Sequence, residues 1–183
     1  MRVLRRRRSD RRPPASGLVR RLGLAERGQE VVEMVLVAPI LVIVLFAVFE
    51  LGHAFDVAHT LAGLAREGAN IASRGTALDT VLDVTMQNGS SVGLTGSGGA
   101  VVTELTIQGG VPRIVSQVAS SGYSGRSRLG QTGSPATSLE GLGLVDGRTV
   151  YAVEVFFSYR PLTPIGQLVP GMIPGTVYDR AFF

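Results

Sequence analysis

The stretch Gly28–Glu50, GQEVVEMVLVAPILVIVLFAVFE, decides how this chain reads. Glu30 and Glu33 stand just ahead of 16 uncharged residues, Met34–Phe49. As a helix that run rises ~24 Å, a little short of the ~30 Å hydrocarbon core, so interfacial residues, tilt or thinning must complete the span. Glu33 directly abuts the run, where a carboxylate is costly unless something cationic meets it. The helix macrodipole accounts for Glu30 well and for Glu33 less well. At the other end Glu50 and His53 are placed where polar side chains reach headgroups. Pro39 removes the helix bond to the carbonyl of Val35, so a kink without a break is expected there.

Charge divides the chain into two unlike pieces. All 18 basic residues are Arg, and ten of them fall in residues 1–28 against Asp10 and Glu26, a net +8. Residues 29–183 hold eight Arg against twelve acids, a net −4. A basic segment before an apolar stretch keeps that end in the cytoplasm, which puts the body of the protein on the far side. The arm has no aromatic residue for base stacking, carries Pro13 and Pro14, and leads straight into the apolar run. No nucleic-acid partner is therefore expected.

With no Cys there is no disulfide framework or thiolate metal site, and with no Lys there is no P-loop lysine or Schiff base. His53, Asp56 and His59 spread over about 120° of a helix, which suits an exposed face better than a metal site. No Ser, His and Asp set has the context for acyl transfer. The glycines Gly96, Gly98 and Gly99 do not complete a nucleotide-loop spacing. The expectation is a non-enzymatic protein with no cofactor, no metal and no small-molecule substrate.

Beyond Phe49 the helix pattern continues with Leu51, Phe55, Ala58, Ala62, Ala65, Ala69 and Ala72, a narrow apolar stripe suited to packing on a sheet or another helix. Asp56, His59, Arg66, Glu67, Asn70 and Arg74 form the opposite, solvated face. The helix is expected from about residue 29 to about residue 74, ending near Gly75. From Thr76 onward the pattern is that of a small β domain. Val101–Ile107 alternates, Val111–Ala119 reads as a strand or short helix, and Arg148–Tyr159 is the strongest strand. Tyr151, Val153, Val155, Phe157 and Tyr159 fall on one side of it, with Ala152, Glu154 and Ser158 on a side expected to be solvated. The Gly- and Ser-rich segments Gly89–Gly99 and Ser120–Gly147 read as mobile loops too polar to form core. Pro161, Pro164, Pro170 and Pro174 interrupt the next stretch, and Thr176–Phe183 makes a last edge strand with Phe182 and Phe183 buried.

Gly28, Val32, Glu33, Pro39, Glu50 and Gly52, followed by Ala65-Arg66-Glu67-Gly68-Ala69, resemble the TadE-like family of tight-adherence (Flp) pilus proteins. Tyr159-Arg160-Pro161-Leu162 also resembles the terminal portion of that family, while Met34 stands where the family usually has an aromatic residue. The resemblance implies an α+β, type IV pilin-like fold: a long transmembrane and amphipathic helix, then a small antiparallel sheet with long Gly/Ser-rich loops. It implies a pseudopilin cut by a prepilin peptidase between Gly28 and Gln29, with Glu33 as the assembly carboxylate. The new amino terminus at Gln29 then meets Glu33 in the same subunit or a neighbour. Implied partners are the peptidase, other pilus subunits, the membrane assembly platform and membrane lipid.

The expected organisation is a basic cytoplasmic leader, 1–28; a transmembrane half-helix, 29–54; an amphipathic half-helix, 55–75; and an extracytoplasmic β-rich domain, 76–183. The expected location is the bacterial cytoplasmic membrane, single-pass, with incorporation into a pilus. Two alternatives differ in processing. Arg20 and Arg21 with Leu22 and Leu24 resemble a twin-arginine signal, and cleavage near Gly52 or Ala54 would release a soluble exported domain. An uncut chain would be a single-pass envelope anchor.

Overall fold

The computed structural model describes residues 16–136, 139, 145–164 and 175–183, with side chains from Gly28 onward except at Ser124. Residues 2–14 of the Arg-rich leader, loop residues 137, 138 and 140–144, and Pro170 and Pro174 lie outside the described residues. Contacts divide the chain into two units, Met1–Leu45 and Phe46–Phe183.

Helix α1, Ser16–Ser73, runs on through Pro39 without interruption. Within the first unit Val31, Leu36, Ile40 and Leu45 are each more than 60% exposed. A helix apolar on every side and unburied is long and apolar enough to cross a membrane. The helix closes at Gly75, whose φ of 85° is the left-handed geometry that glycine adopts without a Cβ penalty; its N–H bonds to the Ala72 carbonyl at 3.0 Å.

In the second unit α1 becomes amphipathic. Its buried residues are Glu50, Val57, Leu61, Leu64, Ala65, Gly68, Ala69 and Ala72, one face at intervals of three, four and seven. This face is turned from the stripe expected from sequence. Ala65, Ala69 and Ala72 belong to both, Ala58 and Ala62 are half-buried at the margin, and Leu51 and Phe55 are 39% and 65% exposed. Burying Val57, Leu61 and Leu64 removes more apolar area from water than burying alanines, so the larger side chains set the rotation. A Cβ at Gly68 would stand 2.7 Å from Thr85 Oγ1 and 3.3 Å from a Val153 methyl, so glycine lets the helix backbone come close to its neighbours.

Helix α2, Leu78–Asn88, falls within the stretch from Thr76 onward that reads from sequence as a small β domain with loose loops. Leu78, Val81, Leu82, Thr85 and Met86 share a helix face, and Val81 and Leu82 join the core made by α1. A 3-10 turn, Gly89–Val92, and a single turn α3, Leu94–Ser97, follow, and Leu94 is fully buried.

The strands are β1, Gly98–Gln108; β2, Val111–Ala119; β3, Thr149–Ser158; and β4, Thr176–Phe182. They pair antiparallel in the order β2-β1-β3-β4. Gly109 and Gly110, at φ 60° and 74°, make the two-residue turn between β1 and β2, the sign that matches strand twist. Ala100 and Val102 of β1 and Val153, Val155 and Phe157 of β3 pack in one core with α1 and α2.

The other sheet face is covered rather than solvated. Leu129, Ala136 and Leu139 from the Gly/Ser-rich connection pack on Leu105, Ile114 and Ala152 in a second core. That connection also bonds along β2, with the Ile114 N–H donating to Ser134 O at 3.0 Å and the Gly133 N–H to Ile114 O at 2.8 Å. The few apolar residues in a polar segment thus form core once its backbone is paired. At the end of β4, Phe182 is half-buried while Phe183 is 51% exposed, its N–H and carbonyl both bonded to Tyr151.

Leu61→Ala is expected to lower stability by about 2–5 kcal/mol, through lost apolar burial and the cavity left behind. Phe55→Ala, on the exposed face, is expected to stay within about 0.5 kcal/mol. Urea unfolding of the detergent-solubilised chain measures both.

Candidate functional site

The residues singled out for processing and assembly all lie on the first stretch of α1. Gly28 has open space around its Cα, and Gln29, Glu33 and Pro39 are exposed. Helix spacing puts Glu30, Glu33, Met34 and Val37 on neighbouring turns of one side. Among the described residues nothing encloses them. They are a surface.

Glu50 behaves differently. It is 3% exposed, and among the described residues its carboxylate meets no cation. Three donors converge on it: the Tyr159 hydroxyl at 2.7 Å and the Leu162 N–H at 3.1 Å on Oε1, and the Thr163 N–H at 2.8 Å on Oε2. β3 ends at Ser158 and the Tyr159 N–H still bonds to Gly175 O at 3.1 Å, but the Leu162 and Thr163 amides lie past the ladder and need another acceptor. A carboxylate accepts only, which suits three inward-pointing donors. Burial, and then the bond and charge of Glu50, push the Tyr159 hydroxyl well above the ordinary phenol range. The His53 ring lies against Tyr159, 5.8 Å between centroids.

Sequence reasoning put Glu50 at the headgroups because it directly follows the apolar run. Its partners lie more than a hundred residues away in sequence, and no local pattern points to them. The available signal was chemical: a lone carboxylate beside apolar sequence needs donors, and Tyr159-Arg160-Pro161-Leu162 supplies them just after a strand.

Glu154 repeats the device on the opposite sheet face, where solvent was expected. It is fully buried and accepts from Ser127 Oγ, from the Arg128 N–H at 2.9 Å and from the Tyr178 hydroxyl at 2.8 Å. The Arg128 guanidinium lies 4.0 Å from the centre of the Tyr178 ring. Burial first, then the Glu154 charge and hydrogen bond, raise the Tyr178 hydroxyl above its ordinary range, with Arg180 opposing. Of the three residues considered for a metal, Asp56 and His59 are exposed and His53 is half-buried against Tyr159.

Tyr159→Phe is expected to destabilise the protein by about 1.5–3 kcal/mol, the range for a hydrogen bond to a charged group. Glu50→Gln is expected to cost more, because its amide turns N–H groups toward a donor. Urea unfolding of both, with the double variant, measures the coupling.

The Tyr178 shift also sets a pH dependence. Its folded value lies above the unfolded one, so the stability from its hydroxyl bond is intact below the unfolded value near 10 and is lost as pH rises through the folded value. Alkaline unfolding is expected to be shallower in Tyr178→Phe than in the unaltered chain.

Three comparisons bear on this arrangement. No curated protein and no solved structure matches the chain. A family model does: residues 28–70 match the one described as TadE-like protein. The match begins at Gly28 and includes Glu33, Pro39 and Glu50, together with most of the α1 face that packs on the sheet. TadE-like proteins are associated with the tight-adherence pilus. The segment from Gly28 through residue 70, the apolar run and most of the packed helix face, is thus similar to the TadE-like family.

Proposed function

We propose that the protein is a minor pseudopilin of a tight-adherence pilus or a related secretion machinery, with a structural role. In this reading the Arg-rich leader is cytoplasmic and a prepilin peptidase cuts between Gly28 and Gln29. The helix then leaves lipid for a bundle of like helices, in which Glu33 neutralises an amino terminus. The observation that carries the reading is a coincidence of extents. The TadE-like match starts at Gly28, and the helix that follows exposes apolar residues on all sides from Val31 to Phe49. Such a surface needs lipid or other helices to cover it.

The partners in this reading are the peptidase, other pilus subunits, the assembly platform and membrane lipid. The outer domain lies on the extracytoplasmic side, following the positive-inside rule. Release of a soluble domain by cleavage near Ala54 fits the geometry poorly. It would remove Glu50 and leave the Tyr159 hydroxyl and the Leu162 and Thr163 amides without their acceptor.

Mass spectrometry of the mature N-terminus, with and without the prepilin peptidase, tests the proposal. A peptidase-dependent start at Gln29 is expected; an intact leader in both backgrounds means an uncut anchor, and a start near Phe55 means export. Glu33→Ala is expected to insert normally and to fail in assembly. Unchanged piliation in that variant removes the carboxylate from the mechanism.

A further inference from the structure

The segment just after β3 is held by its amides while its apolar side chain is left exposed. Glu50 holds the Leu162 and Thr163 amides, and Thr163 is 5% exposed, yet the Leu162 side chain is 60% exposed. One exposed leucine needs no explanation. This one has company, because Leu51 and Phe55 are exposed on the neighbouring turns of α1. Both lie within ~8 Å of Glu50 along the helix axis at 1.5 Å per residue. Glu50 is itself the residue that follows the exposed apolar run ending at Phe49. The clamp therefore fixes Leu162 at the level where that run ends.

Arg160 adds charge to the exposed apolar group. It is exposed, and among the described residues it makes no ion pair. An aliphatic side chain, an exposed aromatic on the adjoining helix and an exposed guanidinium make the composition of a membrane-interface contact. We infer that the Arg160-Pro161-Leu162 loop, together with Leu51 and Phe55, docks the outer domain on the near leaflet. Leu162 and Phe55 enter the acyl boundary and Arg160 binds the phosphate of an anionic phospholipid. The inference rests on the membrane-anchor reading of α1. It assigns the post-β3 loop a task beyond closing the fold: it orients the domain on the bilayer until the subunit is withdrawn.

The chain has no Trp, so one introduced indole reports its surroundings alone. The full chain carrying Leu162→Trp is reconstituted in phosphatidylcholine/phosphatidylglycerol vesicles containing brominated acyl chains. Leu41→Trp reports on the apolar run. Thr149→Trp, exposed at the opposite end of β3 and ~33 Å from Tyr159 at ~3.3 Å per residue, serves as the distant control. Expected are blue-shifted, quenched emission at positions 41 and 162 and unquenched emission at 149. Arg160→Gln is expected to weaken the phosphatidylglycerol-dependent part of the quenching at 162, by about fivefold in the docking equilibrium.

Quenching at 41 with solvent-like emission at 162 overturns the docking and leaves the anchor standing. Blue-shifted but unquenched emission at 162 also overturns it, with another protein surface as the cover. Equal quenching at 149 and 162 overturns the specific orientation. Absence of quenching at 41 and 162 alike overturns the anchor reading as well.

Discussion

Burial of one face of α1 against β1 and β3 is the interaction around which the second unit is arranged. Val57, Leu61 and Leu64 supply the apolar area, while Ala65, Gly68, Ala69 and Ala72 keep the backbone close to the sheet. The mix of sizes matters. Large side chains alone would hold helix and sheet apart, and small ones alone would bury too little surface to offset the entropy of ordering both. α2 completes the same core from sequence that is polar on its other side, with Thr85 satisfied by a bond to the Val81 carbonyl.

Two buried carboxylates tie irregular segments to this frame by the same means. Glu50 holds the loop after β3, and Glu154 holds the segment around Ser127 and Arg128. Glu50 takes two backbone amides and a tyrosine hydroxyl, and Glu154 takes one backbone amide with a serine and a tyrosine hydroxyl. Desolvating a carboxylate is expensive, and three donors offset that cost only when every one is in position, so each arrangement is sensitive to the place of its loop. This explains how chain rich in Gly and Ser can be an ordered cover. The conformational freedom of the glycines is removed by bonds at a few points, and Leu129, Ala136 and Leu139 can then pack.

Along α1 the surroundings demanded by the side chains change within a few residues. Val31–Phe49 expose apolar surface on every side, Leu51 and Phe55 remain exposed just beyond, and from Asp56 onward one face is buried and the other polar. The TadE-like match spans both regimes. A subunit that passes from lipid into a helical assembly needs the first regime to be tolerant of its neighbours and the second to be committed to its own domain. The proposed pilus role draws on both.

The sequence by itself determined the long helix from about residue 29 onward, its apolar run, its end at Gly75 and the alternation that makes β3, whereas the helix itself begins earlier, at Ser16. These depend on periodicity and on residues close in the chain. It also carried α2 in the spacing of Leu78, Val81, Leu82 and Thr85, a legible signal outweighed by the strand-like character of the sequence downstream. The rotation of α1, the covering of the second sheet face and the partners of Glu50 and Glu154 were decided only in the tertiary structure. Which apolar residues turn inward depends on the summed area available once sheet and helix meet, so Leu61 and Leu64 prevailed over Leu51 and Phe55. A carboxylate finds its donors in space, and those of Glu50 stand at the far end of β3, where neither periodicity nor composition links them to it.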